Sequence, residues 1–247
     1  MKPKSTLILA VVLAGCAAIA PAEKIRYYPL SMGKAKFHVV VANLAQKDLS
    51  VETILSSKAK SPWYLLKKDT PSVAITGTFF NPADSRPVGD IIIDGQRKVR
   101  GSRGSVFGVD WEGNPRIVDT GFNRTWDYTD YRFALRATVR IIKDGVVCPN
   151  PRAQKFKDPR IWGRAARTAA GITEDGRLVL MATRSNVTLS ELGKAMKSRG
   201  VVDAVNLDGG SSTCLYVKGK MVISPTRRLT NLIVLRDRAP MASQAAY

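Results

Sequence analysis

The sequence predicts an α+β fold: a single β-rich mixed domain with few helices. Most of the chain consists of short apolar or alternating runs separated by Gly, Pro, Asn or Asp, which is the pattern of strands joined by turns. Only two segments carry the features of helices. The chain has 247 residues, 45% of them hydrophobic, and no internal repeat. This length and composition are enough for one substantial core, so we expect a single domain.

The predicted strands follow one another along the chain. They cover residues 37–41, 73–76, 90–93, 105–109, 116–118, 134–142, 169–173, 178–182, 201–207, 214–217, 221–223 and 232–235. Turn dipeptides such as Asp144-Gly145 and Asp175-Gly176 lie between several neighbouring runs and predict hairpins there.

Two segments have helix signals. Ser61 followed by Pro62 offers an N-cap and a first-turn proline. The stronger helix covers 188–199, where Thr188 and Glu191 form the spacing of a capping box and apolar residues recur at helical intervals. We interpret its apolar stripe as core packing, and Gly200 suits the stop of the helix.

The N-terminus has the pattern of an export signal. Lys2 and Lys4 precede a short apolar run, and residues 13–16 (LAGC) resemble a bacterial lipobox. We favour a signal peptide over 1–16 with lipidation at Cys16, a tether over 17–35, a domain over 36–238 and a tail over 239–247. The protein would then be an exported, periplasmic or cell-surface lipoprotein, anchored to the membrane by lipid. The alternative is an ordinary signal cut after Ala22 and a secreted soluble protein.

The charge balance indicates anionic partners. The formal net charge is +19, which attracts polyanions. Export favours anionic lipids and phosphate-containing envelope polymers over nucleic acid, and no aromatic stacking motif of the RNA-binding kind is present. Three cysteines and one histidine, His38, show no metal-ligand spacing, so we expect no metal and no cofactor. His38 is interpreted as a structural strand residue. Cys148 and Cys214 either pair or remain separate thiols.

The strongest candidate site is the run NLDGGSST at residues 206–213. A strand ends at Asp208, which presents a carboxylate at a sheet edge. Gly209 and Gly210 permit positive φ and close approach of a ligand, and their N–H groups can form an anion-binding nest. Ser211 and Ser212 add hydroxyl donors. The alternative is a plain hairpin turn, but the run contains more than a turn requires.

Two further segments contain candidate residues. Arg167 opens a small-residue strand and can place a planar guanidinium over a cleft, where it would bind phosphate or carboxylate in a bidentate manner. The run at 74–82 leads from a strand into Gly77, Thr78 and a pair of phenylalanines, of which one can pack in the core while the other lines a sugar face. Asp90 is a possible second carboxylate, with a turn residue as the default interpretation.

Taken together, these segments resemble the phosphodiester glycosidase family, from about Phe37 to Arg236. The most specific piece is residues 206–212 (NLDGGSS). Residues 167–171 match an Arg-Thr-Ala-x-Gly element, and residues 77–80 match part of an Asn-Gly-x-Phe-Phe element. Thr76 stands where many members carry asparagine, and Arg228 matches a late arginine before the last strand. The resemblance implies catalytic roles for Asp208 and Arg167. The substrate or phosphate contacts that it implies are Thr76, Gly77, Thr78, Phe80, Thr168, Asn206, Gly209, Gly210, Ser211, Ser212 and Arg228.

The function implied by the resemblance is hydrolysis of the glycosidic bond of a sugar-1-phosphodiester in an envelope or extracellular glycan. The leaving phosphate monoester needs charge stabilisation more than it needs a strong general acid, unlike the leaving groups of ordinary glycosidases with paired carboxylates. The alternative is a non-catalytic envelope lipoprotein that binds anionic phosphate-containing polysaccharide.

Overall fold

The computed structural model describes residues 23–67, 70–121 and 125–238. Strands dominate these residues, and the helices among them are short, which confirms the predicted β-rich α+β class. The predicted signal peptide with Cys16, and the tail 239–247, lie outside the described residues.

The larger sheet runs in the order β1-β2-β12-β11-β13-β9-β5-β6, with β7 and β10 pairing to β9 and β8 pairing to β7. Its members are β1 (Ile25–Met32), β2 (Ala35–Ala42), β5 (Ile91–Ile93), β6 (Gln96–Val99), β7 (Ser105–Asp110), β8 (Pro115–Val118), β9 (Tyr131–Lys143), β10 (Val146–Val147), β11 (Ala165–Thr173), β12 (Leu178–Val187) and β13 (Val201–Asn206). The strand pairings among the described residues of this sheet are antiparallel, so it is built from hairpins and longer antiparallel connections.

The smaller sheet has the order β15-β14-β4-β16-β3 and is also antiparallel. Its members are β3 (Leu49–Lys60), β4 (Val73–Thr76), β14 (Leu215–Val217), β15 (Lys220–Ile223) and β16 (Leu229–Asp237). The helices are α1 (Pro62–Leu66), α2 (Pro159–Trp162) and α3 (Leu189–Lys197), and a 3-10 turn covers Gly210–Ser212.

The main core lies between the two sheets. Val40 and Val205 of the larger sheet pack in the same buried cluster as Ile75 and Ile233 of the smaller one. Neighbouring residues in the strands point to the opposite faces, since side chains alternate along a strand. Met181, for example, packs with the apolar side chains of α3 on the outer face of the larger sheet. The outer face of the smaller sheet is covered by α1.

The structure corrects the predicted tether over 17–35. Residues 25–32 form β1, which pairs with β2 along its whole length from Ile25–Ala42 to Met32–Ala35. These residues therefore belong to the folded domain. As an edge strand, β1 is largely exposed, so its sequence lacks the alternation that predicts a strand. Strands β3, β6 and β10 and helix α2 were also absent from the predicted elements, whereas β4 has the predicted bounds.

The capping box of α3 is confirmed. The Thr188 hydroxyl accepts a hydrogen bond from Glu191 N at 3.2 Å, and the Glu191 carboxylate accepts one from Thr188 N at 2.8 Å. After the helix, the chain passes Gly200 and enters β13, which ends next to the candidate site. Its apolar side chains, among them Leu192 and Met196, are fully buried, so α3 fixes the position of β13.

Replacing Thr188 by alanine should lower the free energy of unfolding by about 1 kcal/mol, because the N–H of Glu191 loses its acceptor. Urea denaturation of wild type and variant measures the change. Thr188→Ser keeps the hydroxyl and serves as the control. A stability loss of the same size in the serine variant would show that the methyl packing, and not the cap, is responsible.

Candidate active site

A cavity of about 610 Å³ opens where the two sheets meet. The larger sheet supplies Ala165 and Arg167 from β11 and residues 208–211 from the segment after β13. The smaller sheet supplies residues 79–82, which follow β4, and Arg227, which precedes β16. The remaining lining residues are Val88, Arg103, Phe156, Lys157, Asp158, Arg160 and Ile161.

Asp208 lies just beyond the end of β13. This strand is in the interior of the larger sheet, between β11 and β9, so the carboxylate stands at the end of a central strand and not on an edge strand. Its backbone is fixed on both sides. Asp208 N donates to Gly77 O at 3.0 Å, and the Thr168 hydroxyl donates to Asp208 O at 2.6 Å. The two sheets thus hold this residue between them.

The Asp208 side chain is only 6% exposed and pairs with Arg227, whose Nη2 donates to Oδ2 at 2.9 Å. Burial raises the pKa of the carboxyl to about 6, and the guanidinium of Arg227 opposes this rise. The hydroxyl of Ser212 and the N–H of Gly209 also stabilise the ionised form. The result is a carboxylate that changes its charge within the range of moderately acidic pH.

The glycines after Asp208 serve two different purposes. Gly210 has φ +58°, the left-handed region that glycine adopts without strain. Gly209 lies against β11: a Cβ there would stand 2.6 Å from Ala166 O. Both glycines line the cavity without a side chain, Ser211 lines it next to them, and the 3-10 turn over Gly210–Ser212 begins at this point.

Arg167 is a buried cation without a carboxylate partner among the described residues. It is 3% exposed, and a register shift of β11 against β12 lies between Ala165 and Arg167, a bulge that helps to aim side chains. Its Nε donates to Val187 O at 3.3 Å. Its Nη2 donates to the carbonyls of the segment before β11, the shortest bond being 2.5 Å to Gly163 O.

Burial lowers the pKa of the Arg167 guanidinium to about 10, so it remains charged at neutral pH. Nη1 has no hydrogen-bond partner among the described residues. A buried positive charge that only carbonyl dipoles compensate is costly, and an anion in the cavity would remove that cost.

Aromatic side chains form one wall of the cavity. Phe80 is buried, and the guanidinium carbon of Arg227 lies 4.3 Å from the centroid of its ring. Phe79 packs against Phe156 with ring centroids 5.7 Å apart. The stack on Phe80 holds Arg227 in the position from which it pairs with Asp208.

The charge of the lining is positive. Five basic residues (Arg103, Lys157, Arg160, Arg167 and Arg227) face two acidic ones (Asp158 and Asp208). Asp158 is bound to Arg160 by a salt bridge of 2.6 Å. A cavity with this excess of positive charge attracts anionic ligands.

Seven of the predicted contact residues lie outside the cavity lining, and all of them except Arg228 support it through hydrogen bonds. Thr76 donates to Ser212 O at 2.6 Å and accepts from Cys214 N, and Thr78 donates to Arg136 O at 2.6 Å. Asn206 donates to Leu207 O at 2.7 Å. The buried backbone of Gly77, the hydroxyl of Thr168 and the hydroxyl of Ser212 hold the segment 208–212 in place. Direct substrate contacts of Thr76, Gly77, Thr78, Thr168, Asn206 and Ser212 therefore stay a prediction, while the structure shows their supporting hydrogen bonds.

The two adjacent late arginines are placed differently, and the predicted substrate contact of Arg228 stays a prediction. Arg228 is exposed and does not line the cavity, whereas Arg227 does. Arg227 also donates through Nε to the Ser212 hydroxyl at 2.5 Å. Arg227 lies in a bend just before β16, and its guanidinium faces Asp208.

The segment 156–161 was absent from the predicted site. It forms the rim of the cavity and contains α2, whose N-cap is Asp158. Its positive charges were the only available signal, and in a chain with 39 basic residues they do not stand out. Arg103 was missed for the same reason.

The remaining candidates lie apart from the cavity lining. His38 is in β2, stacked on Tyr27 and hydrogen-bonded to its hydroxyl at 2.8 Å. Asp90 is buried and bound by Tyr128 and Arg136. Cys148 and Cys214 are both free thiols. In the described parts of the chain, no cluster of three or more His, Cys, Asp or Glu side chains is arranged to hold a metal ion. No helix there is long and apolar enough to cross a membrane.

Comparison with known proteins identifies a family and several relatives. The phosphodiester glycosidase family model matches residues 69–236. A Bos taurus relative, N-acetylglucosamine-1-phosphodiester alpha-N-acetylglucosaminidase, is 25% identical over 175 residues, 63% of this chain and 33% of the relative. The chain thus spans about a third of the length of the curated relatives it matches.

Solved structures share the fold. The catalytic domain of the zebrafish N-acetylglucosamine-1-phosphodiester alpha-N-acetylglucosaminidase, auto-inhibited by pro-peptide, has a TM-score of 0.72 at 19% identity and covers 87% of this chain and 82% of that chain. A hypothetical protein from Synechocystis has a TM-score of 0.64 at 16% identity, with 86% and 62% covered. Because the family model covers more than half of the chain, this protein belongs to the phosphodiester glycosidase family.

Proposed function

We propose that this protein is an exported hydrolase that cleaves the glycosidic bond of a sugar-1-phosphodiester in an envelope or extracellular glycan. One observation carries the proposal. A buried carboxylate, Asp208, and a buried cation without a carboxylate partner among the described residues, Arg167, line the same positively charged cavity. The name of the bovine relative supports a sugar-1-phosphodiester as the substrate class.

The phosphate of the substrate would bind at the positive side of the cavity. Arg167 offers the free donors of Nη1, and the backbone of Gly210 and Ser211, which line the cavity, offers N–H groups. These donors are in place before the substrate arrives, so they stabilise the charge that develops as the sugar C1–O bond breaks. Water supplies the new hydroxyl at C1, and the products are a free sugar and a phosphate monoester.

Asp208 would act in its ionised form near C1, as nucleophile, as base or as stabiliser of the oxocarbenium-like state. Arg227 holds the carboxylate in one orientation through the 2.9 Å contact and is itself held by the ring of Phe80. The sugar would pack against the apolar wall formed by Phe79, Phe80 and Ile161.

The partner class would be an anionic glycan of the cell envelope, which the net charge of +19 attracts. Lipidation at Cys16, in the N-terminal segment outside the described residues, would hold the enzyme close to such a substrate.

The first experiment measures hydrolysis of methyl esters of a panel of sugar 1-phosphates, starting with N-acetylglucosamine. We expect equal amounts of free sugar and methyl phosphate. In water labelled with heavy oxygen, the methyl phosphate should carry no label, since the C1–O bond breaks and the water oxygen goes to the sugar. Release of methanol and sugar 1-phosphate, or incorporation of the label into methyl phosphate, would indicate attack at phosphorus and overturn the proposal. Binding of the esters without any product would favour the anionic-polysaccharide-binding lipoprotein.

The pH dependence of kcat/KM should report the ionisation of Asp208. Its pKa is raised to about 6, so activity should rise with pH below about 6 and level off above it, because only the carboxylate is active. Initial rates between about pH 4 and about pH 9 provide the profile. An activity that falls as pH rises through about 6 would mean that the protonated form of Asp208 acts, and would contradict the assigned role.

A further inference from the structure

A second cleft lies at the tip of the β5–β6 hairpin; we call it the hairpin cleft. It has a volume of about 560 Å³, and the residues that matter for its chemistry are Asp94, Gln96, Arg97, Arg100, Trp111 and Asp127. The cleft is separate from the active-site cavity. Val88 and Arg103 of that cavity lie before β5 and after β6, at the opposite end of the hairpin from the Asp94-Gly95 turn.

Trp111 is exposed and yet fixed in position. Its side chain is 53% exposed, while its Nε1 donates to Thr129 O at 2.9 Å. Its six-membered ring lies over Gly95, where a Cβ would stand 2.7 Å from Cζ2. Only glycine permits this close approach, so the indole packs directly on the backbone of the hairpin turn.

The loop that presents Trp111 is also rigid. The preceding residue, Asp110, is 1% exposed and accepts hydrogen bonds from Asn114 N at 2.7 Å and from Arg116 Nε at 3.0 Å. Trp111 itself belongs to none of the buried core clusters of the described residues. A large aromatic ring that is held still and kept in solvent is typical of a binding surface, where it offers area at little cost in conformational entropy.

The polar groups around the ring are balanced in charge. Asp94 and Asp127 oppose Arg97 and Arg100, and Gln96 adds an amide. Arg97 is held in place by the ring of Tyr128 at 5.2 Å and by Trp126 O at 2.9 Å. The active-site cavity, in contrast, has five basic and two acidic residues. The hairpin cleft therefore suits an uncharged ligand.

We propose that the hairpin cleft binds a neutral sugar unit of a glycan. A pyranose ring has one face of C–H groups, which can stack on the indole of Trp111, and a rim of hydroxyls, which donate to the carboxylates of Asp94 and Asp127 and bond with the amide of Gln96. The site goes beyond the proposed hydrolysis, since it holds a part of the polymer that is not cleaved. A second attachment point raises the effective concentration of the glycan at the enzyme.

The test compares three forms of the mature protein: wild type, Trp111→Ala and Trp63→Ala. Trp63 is the matched control because it is 57% exposed but lines another cleft. The probes are the neutral hexasaccharides of β-1,4-linked glucose, β-1,4-linked N-acetylglucosamine and α-1,4-linked glucose, titrated calorimetrically. We expect one of them to bind to the wild type and to Trp63→Ala, and Trp111→Ala to weaken its affinity by about tenfold or more.

Two further variants complete the test. Trp111→Phe keeps a flat ring and should lose less affinity than Trp111→Ala, which covers the case in which the alanine variant fails to fold. Asp208→Asn should bind the hexasaccharide like wild type, so the two proposals can fail separately. Absence of binding to all three probes at millimolar concentration, equal affinity of Trp111→Ala and wild type, or an equal loss in Trp63→Ala would each overturn the proposal.

Discussion

Asp208→Asn is expected to lower kcat/KM on a sugar-1-phosphodiester by about 10³-fold or more, since the amide cannot act as a nucleophile, base or anionic stabiliser. The amide fits the same space, and its oxygen can still accept the hydrogen bond from Arg227 Nη2 that now measures 2.9 Å at the carboxylate. Initial rates at neutral pH, with product release measured for both variant and wild type, give the ratio.

The stability of Asp208→Asn separates loss of function from loss of fold. The pKa of Asp208 is higher in the folded protein than in the unfolded chain, so the folded state binds this proton more tightly. That contribution is full below the unfolded value of 3.8 and is lost as pH rises through about 6. At neutral pH the wild type bears the cost of a buried charge that asparagine lacks. The midpoint of thermal unfolding should therefore not fall.

The matched control is Asp158→Asn. Asp158 also lines the cavity, but its carboxylate is bound to the exposed Arg160, and asparagine can still cap α2. Its activity should stay close to that of wild type. If Asp158→Asn lost as much activity as Asp208→Asn, any carboxylate in the cavity would matter equally, and Asp208 would not have the assigned role.

Arg167→Met is the second substitution for which we expect a large loss of activity. Removing the buried guanidinium should lower kcat/KM by about 10²–10³-fold, the range found when one preorganised donor to a developing oxyanion is removed. Lysine keeps the charge but loses the planar fork, so Arg167→Lys should recover only part of the activity. The second measurement is protection by inorganic phosphate against thermal unfolding, which should be present in wild type and absent from Arg167→Met.

Arg164→Met is the control for both measurements on Arg167→Met, the activity and the protection by phosphate. Arg164 lies close to β11, is exposed, pairs with Glu191 and is not part of the cavity lining. Its replacement should leave both turnover and protection by phosphate unchanged. Full protection of Arg167→Met by phosphate would show that the anion binds elsewhere in the cavity, and the assigned role of Arg167 would have to be abandoned.

The sequence was sufficient to predict the parts of the site that depend on local chemistry. The run from Asp208 to Ser211 was recognisable because a buried strand, an acid and two glycines are consecutive. The cavity contains all four of these residues, together with Arg167 and Phe80. The fold class and most strands were predictable for the same reason, since apolar alternation and turn residues are local signals.

The parts that depend on tertiary contacts could not be predicted in this way. The division of the strands into two sheets has no local signature. The choice between Arg227 and Arg228 depends on which one faces Asp208 after the sheets meet. Thr76 resembles a ligand contact in sequence, but its hydroxyl is used by Ser212 O and Cys214 N. Edge strand β1 is largely exposed, with Ile25 as its one buried residue, and therefore lacks a clear hydrophobic period.

The cavity lining has two parts that differ in their attachment to the fold: the segment around Asp208 and the rim at residues 156–161. The backbone of Asp208 is bonded to Gly77 O from one sheet and to the Thr168 hydroxyl from the other, so a change that moves this backbone disturbs both sheets. The rim at 156–161 has hydrogen bonds to the site through the carbonyls that Arg167 holds. We therefore expect substitutions at the rim to lower the stability of the fold less than substitutions in the segment around Asp208. New substrate preferences in such a protein can arise there, while the bond-breaking chemistry is inherited unchanged.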